Sequence, residues 1–170
     1  RVDVGGLVAS ALDLSQQDFA DGRFQFNARG VNGSSASVVN QGQMRASAGG
    51  YLALFGQQVA NEGDIAVDAG SVVLAAGRSA TVSISGNGLL SAVVSAGSVP
   101  AQVDNAGRIT ADGGVITLTA KSAQDIAASL VNNTGIVRAN ALVERGGEIW
   151  ITGDTVSTSG TLSAAAPERG

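Results

Sequence analysis

Apolar and polar residues alternate along most of this chain, and the alternation recurs in units that can be laid over one another. Five segments turn on a Gly: Asn40-Gln41-Gly42, Asn61-Glu62-Gly63, Asn105-Ala106-Gly107, Asn133-Thr134-Gly135 and, more weakly, Thr158-Ser159-Gly160. Two residues after that Gly stand Met44, Ile65, Ile109, Val137 and Leu162, and four after it stand Ala46, Val67, Ala111, Ala139 and Ala164. A second Gly follows at Gly50, Gly70, Gly114 and Gly147. Leu52, Val72, Ile116 and Ile149 lie two beyond it, and Leu54, Leu74, Leu118 and Ile151 four beyond. Six beyond, the position is small: Gly56, Ala76, Ala120 and Gly153. A period of two is the signature of a strand with one apolar face, whereas a helix needs apolar residues three and four apart. Each unit therefore predicts a turn, a short strand, a Gly corner, a second short strand and a small-residue corner.

The spacing predicts how the units stack. Gly42 to Gly63 is 21 residues, Gly107 to Gly135 is 28 and Gly135 to Gly160 is 25. The 44 residues from Gly63 to Gly107 read as two units of 22, with a degenerate middle copy around Thr81 to Val103. The extra residues between Lys121 and Ser129 and around Asn140 to Arg145 read as surface insertions. Two short strands cannot bury an apolar face alone. Laid on one another in parallel register, every strand pairs above and below, and the apolar positions become interior columns. The expected fold is an all-β parallel β-helix, a solenoid with rungs of about 21–28 residues. At about 4.8 Å per rung, roughly seven rungs make a rod about 35 Å long, which reads as a section of something longer. Propeller blades need about 40 residues per unit, and leucine-rich repeats a consensus absent here.

Composition sharpens this picture. The chain has 170 residues with 24 Gly and two Pro; 44% are hydrophobic but only 4% aromatic, so the core is built from many small units. There is no Cys, which removes disulfide scaffolds, thiol nucleophiles and Cys-bearing zinc sites, and no His, which removes His-based triads and the commonest metal ligand. Ten basic against fourteen acidic residues give a net charge of −4, and nine of the ten are dispersed Arg, so nucleic acid is not an expected partner. No apolar run approaches the roughly 20 residues of a membrane-spanning helix, and no basic-then-apolar leader opens the chain. The start at Arg1 reads as a fragment or processed form.

Candidate chemistry is sparse. Asn40, Asn61, Asn105 and Asn133 fall in one column, either as a ladder of side-chain amides bonding to one another and to the turns, or as a ligand or Ca²⁺ site. Parallel β-helices also host polysaccharide-cleaving enzymes, which need paired carboxylates or an acidic Ca²⁺ site. The candidate acids are Asp64, Asp68, Asp104, Asp112 and Asp125. No Asp-x-Asp pair occurs, and the expectation is no enzyme, no catalytic residue, no cofactor and no metal. Tyr51, Phe55 and Trp150 are candidates for a sugar or protein contact. Trp150, between Ile149 and Ile151, is expected to point outward. Contact with another segment of a longer protein, a binding patch and packing under the Asn140–Arg145 insertion all remain open for it. Phe19, Phe24 and Phe26 belong to a hairpin or loop on the flank. The organisation expected is an opening segment with that extra element over 1–38, stacked repeats over 39–164 and a linker-like close over 165–170.

The stretch Val2-Asp3-Val4-Gly5-Gly6-Leu7-Val8-Ala9-Ser10-Ala11-Leu12-Asp13-Leu14 resembles the segment after the Asn-Pro-Asn-Gly motif in the secretion domain of filamentous haemagglutinin-like exoproteins. Gly49-Gly50-Tyr51-Leu52-Ala53-Leu54-Phe55-Gly56 and Gly70-Ser71-Val72-Val73-Leu74-Ala75-Ala76-Gly77 resemble the repeats that follow it. The resemblance implies a large surface protein of the two-partner secretion type. It would pass the periplasm, cross the outer membrane unfolded through a β-barrel transporter, and fold outside as a right-handed β-helix. Family members are adhesins, haemagglutinins, haemolysins, or shafts of contact-dependent growth inhibition toxins, so a host-cell glycan or protein receptor is an implied partner. The Asn-Pro-Asn-Gly motif and its preceding cap are absent from this chain, so transporter recognition falls on no residue here. Lack of Cys suits a chain kept unfolded in an oxidising periplasm. Open strand edges predict end-to-end self-association.

Overall fold

The structure is a computed structural model describing residues 1–28, 36–84, 90–97, 99–123, 129–142 and 146–166. Its chain runs beside itself in parallel, in six passes among the described residues. The first pass is β1 (Val2–Ser10). After β2 (Asp13–Leu14), α1 (Gln16–Ala20) and β3 (Phe24–Asn27), the second pass is β4 (Ser37–Asn40) and the long β5 (Gln43–Gly56). The third is β6 (Gln58–Asn61), β7 (Asp64–Ala66) and β8 (Ser71–Ala76), followed by β9 (Ser79–Ile84) and β10 (Leu90–Ser95). The fourth is β11 (Gln102–Asn105), β12 (Arg108–Thr110) and β13 (Val115–Ala120). The fifth is β14 (Leu130–Asn133), β15 (Ile136–Arg138) and β16 (Glu148–Thr152), and the sixth is β17 (Thr155–Thr158) and β18 (Thr161–Ser163).

These passes build three parallel ladders. The first stacks β4, β6, β11, β14 and β17. The second takes the starts of β1 and β5, then β7, β12, β15 and β18; the third takes their ends, then β8, β13 and β16. Met44 sits beside Ile65, Ile65 beside Ile109, Ile109 beside Val137 and Val137 beside Leu162. Leu52, Val72, Ile116 and Ile149 form the matching column of the third ladder. The all-β, parallel arrangement expected from the alternation is therefore present, with the expected residues in register. Met44, Leu52, Leu54, Ile65, Leu74, Ile109, Leu118 and Val137 gather in one buried cluster. Each fully buried side chain of this size is worth about 1.5–3 kcal/mol.

The turn glycines are required by proximity. A Cβ on Gly63 would overlap the carbonyl oxygen of Gly42, and one on Gly107, Gly135 or Gly160 would overlap that of the Gly one pass earlier. Those carbonyls accept the N–H of Asp64, Arg108, Ile136 and Thr161, each at 2.9 Å. The bond that closes each corner thus draws the stacked backbones so near that no side chain fits between them.

One expectation is corrected. Thr81 to Val103 is not a degenerate rung: β9 and β10 pair antiparallel with each other, β9 pairs with β3, and β3 with β2, forming a separate four-stranded sheet. Gly107 stacks directly on Gly63, and the described residues make six passes where about seven were expected. An alternating strand looks the same in a parallel ladder and in an antiparallel cover, so the period alone could not separate them.

The cover sheet has a sequence trace after all. It buries Leu12, Phe26, Ala80, Val82, Leu90 and Val94 against the outward Ala53, Phe55, Val73 and Ala75 of the third ladder. Strands β5 and β8 are thus covered on both sides, and β8 reads Ser-Val-Val-Leu-Ala-Ala without polar alternation and is buried throughout. In β13, beyond the cover, Thr117 and Thr119 take the outward positions and the alternation returns. Of the expected insertions, 124–128 and 143–145 lie outside the described residues, as do 167–170 of the expected linker.

Candidate functional site

The four turn asparagines lie at successive positions of the first ladder, with Thr158 next in line. Asn40 Nδ2 donates to Asn61 Oδ1 at 2.8 Å, Asn61 Nδ2 to Asn105 Oδ1 at 2.8 Å, and Asn105 Nδ2 to Asn133 Oδ1 at 2.7 Å. Asn133 Nδ2 ends the series on Thr158 Oγ1 at 3.2 Å. The direction is set at the top, where the Gly42 N–H donates to Asn40 Oδ1 at 3.2 Å. Second amide hydrogens go to turn carbonyls, as from Asn61 Nδ2 to Gly63 O at 3.2 Å. Asn61, Asn105 and Asn133 are essentially inaccessible to solvent. Every amide oxygen in the column already accepts a hydrogen, and the column carries no charge.

The aromatic candidates separate. Phe55 is fully buried, its ring 5.6 Å from that of Phe26. Tyr51 is half-buried and lies so close over Gly6 that a Cβ there would strike the ring. With Phe19, Phe24, Phe26 and Val82 it lines a cavity of about 280 Å³ between the third ladder and the cover sheet. Trp150 points outward with 60% of its surface exposed, and its indole N–H donates to Glu148 at 2.9 Å. Trp150 and Tyr51 lie on the third ladder with β8 and β13 between their strands.

Of the candidate acids, Asp64 and Asp68 border one outward cleft, while Asp104 and Asp112 lie apart from them. Asp112 accepts from Arg138 at 3.1 and 2.8 Å and from the Asn140 N–H at 3.0 Å. Asp104 accepts from Gln102 at 2.7 Å. Asp64 faces Arg108 at 4.0 Å, and Asp68 lies at the next corner. Asp125 lies outside the described residues. Among the described residues, no three Asp or Glu side chains gather as metal ligands. The Ser15 hydroxyl, then Arg23, hold the Asp18 carboxyl below the usual carboxylate range. That group belongs to the cap of α1, where Ser15 Oγ accepts the Asp18 N–H at 3.0 Å.

What this arrangement defines is a scaffold: three in-register parallel ladders, a continuous amide column and an antiparallel cover over one flank. Among solved structures, the chain is similar to the HMW1 secretion domain from Haemophilus influenzae, with a TM-score of 0.69 and 25% identity over 98% of this chain. The match covers 50% of that chain, so the present sequence spans about half its length. No family model matches, and no curated protein matches. The likeness supports a secretion-related structural segment of an exported protein. No helix among the described residues is long and apolar enough to cross a membrane.

The sequence reading missed two parts of this arrangement. The first is the stack of Gly carbonyls beside the amide column, whose signal was the invariance of Gly at the third position of each turn. The second is the cover over Phe55, whose signal was the loss of polar residues from β8.

Proposed function

We propose that this chain is a non-catalytic structural segment of a large bacterial surface protein, an adhesin or haemagglutinin, exported by two-partner secretion. On this reading the three ladders wind as a closed right-handed β-helix. The protein passes the periplasm and crosses the outer membrane unfolded through a β-barrel transporter, and its passes add one by one outside the cell. The observation that carries the reading is the likeness to a secretion domain over 98% of the chain. Two features support it physically. Each inner pass pairs only with the passes directly before and after it, a nearest-neighbour stack that suits sequential folding, and the absence of Cys leaves nothing to lock prematurely.

Exposed Trp150 supports a contact with a receptor or with another part of a longer protein. Val156 and Leu162 are exposed on β17 and β18, which among the described residues pair on one side only, and this supports end-to-end self-association. The decisive experiment joins the chain to the leader and capping segment of a two-partner exoprotein and co-expresses it with that exoprotein's transporter. Expected is transporter-dependent appearance of folded chain in the medium. Equal release without the transporter overturns the proposal.

A further inference from the structure

The outward side of the second ladder carries a cleft that the secretion reading leaves unused. In register order, one column there runs Gln43, Asp64, Arg108 and Ile136, and the next runs Arg45, Ala66, Thr110 and Arg138. Ala66 and Thr110 are short, and the arginines above and below them are long. The second column therefore dips across two strands, about 10 Å wide at the usual strand spacing. The resulting cleft of about 480 Å³ is bounded by Arg45, Arg108, Arg138, Asp64 and Asp68. That falls in the range of about 300–1,000 Å³ common to small-ligand sites.

The charges around it are held unequally. Arg138 is fixed from the side by Asp112 through two bonds of 3.1 and 2.8 Å. Arg108 meets Asp64 only at 4.0 Å. Asp3, the cross-strand neighbour of Arg45, is engaged by Arg1 at 2.9 Å. Among the described residues neither Arg45 nor the Asp68 carboxylate has an ion-pair partner. A free guanidinium and a free carboxylate thus border one cleft with a floor of small side chains.

We propose that this cleft binds an acidic saccharide, a chain of uronic acid units. Its carboxylate would lie between the Arg45 and Arg108 guanidiniums, and its hydroxyls would donate to Asp68 and exchange hydrogen bonds with Thr110. Guanidinium is weakly hydrated and meets a carboxylate through paired N–H donors. A bare phosphate or sulfate offers acceptors alone and is repelled by Asp64 and Asp68. A neutral sugar serves the aspartate but leaves the arginines unanswered. The ligand that satisfies both carries a carboxylate and hydroxyl donors within one ring.

The test is titration of the full chain with tri-galacturonate, followed through the backbone amides of Ala66 and Thr110 by NMR. Maltotriose and sulfate serve as comparison ligands. Expected is saturable binding with a dissociation constant on the order of 1 mM, at least about fivefold tighter than for either comparison ligand. Arg45→Gln should weaken it by about fivefold or more, and Ala66→Leu, which fills the dip without changing charge, should do the same. Both variants are checked for native circular dichroism. Should either misfold, Arg45→Lys, which keeps the charge but loses the fork, carries the test and is expected to weaken binding likewise. Equal affinity for maltotriose or sulfate overturns the proposal, as does failure to saturate, or unchanged binding in the folded variants. Export is read in a separate assay, so a chain that is secreted but binds no uronate leaves the secretion reading standing.

Discussion

Replacing Asn105 by Ala tests whether the amide column holds the passes together. The side chain is 1% exposed, accepts from Asn61 at 2.8 Å and donates to Asn133 at 2.7 Å. Two bonds are lost at about 1 kcal/mol each, and Asn133 Oδ1 is left buried without its donor, costing about 1–3 kcal/mol more. Asn61 keeps its contact with the Gly63 carbonyl at 3.2 Å, so its amide is not stranded. The sum is about 3–5 kcal/mol, a large part of the roughly 5–15 kcal/mol by which a domain is stable. Asn132→Ala, on the next pass beside Asp104 with a single 3.4 Å contact to it, should stay within about 0.5 kcal/mol. The assay is urea unfolding followed by circular dichroism, with the slope compared between variants. Amide exchange at Gly107 and Gly135 locates the loss, since stacked passes open locally. Asn105→Asp sharpens the test. Its carboxylate presents an acceptor to another acceptor in a buried site, which raises its folded pKa above the unfolded value of about 3.9. The variant should therefore be least stable at neutral pH and recover as pH falls through the raised folded pKa, fully only below the unfolded value of about 3.9, where the carboxyl is protonated in both states and can donate to Asn133. A cost for Asn105→Ala below about 1 kcal/mol, or no greater than that of Asn132→Ala, would refute the reasoning.

Four further outcomes follow from the same geometry. Gly107→Ala, whose new methyl meets the Gly63 carbonyl, should abolish soluble folded protein, whereas Gly42→Ala, with open space around it, should shift the urea midpoint little; equal behaviour of the two contradicts the close-approach account. Phe55→Ala removes a fully buried ring from beneath the cover sheet and should cost about 3–5 kcal/mol in urea unfolding, with a value under about 1 kcal/mol counting against the packing described. Trp150, the single Trp, should emit like solvent-exposed indole and be quenched by iodide, and Trp150→Ala should leave stability within about 0.5 kcal/mol. Asp18 has its carboxyl lowered by the Ser15 hydroxyl and then Arg23, so its support of α1 is present above the unfolded pKa and fades as pH drops through the folded one. Carbon NMR titration of that carboxyl should find it below an ordinary Asp, and Ser15→Ala should bring it back.

Much of the ladder architecture was legible because stacking repeats one local environment. The same residue type answers the same demand on every pass, so Met44, Ile65, Ile109 and Val137 announce an interior column before any coordinates. The candidate contacts were less legible. Phe55 and Trp150 are both large and aromatic, but β5 is covered on its outer side and β16 is not, and that difference rests on β3 and β9, far away in sequence. The Arg45 cleft was invisible for a related reason. Arg45, Arg108 and Arg138 look like isolated charges until three parallel pairings set them around Ala66 and Thr110.

By itself the sequence determined the alternation, the corner glycines, the asparagine column and hence an all-β parallel stack, because these follow from the two-residue period of a strand and its repetition. Only the tertiary structure decided that β9 and β10 leave the stack to cover one flank, that Gly63 and Gly107 are neighbours, and which outward side chains stay in water. A strand's period records that one face is apolar. It does not record which partner strand covers that face, and antiparallel and parallel neighbours satisfy the same backbone bonds.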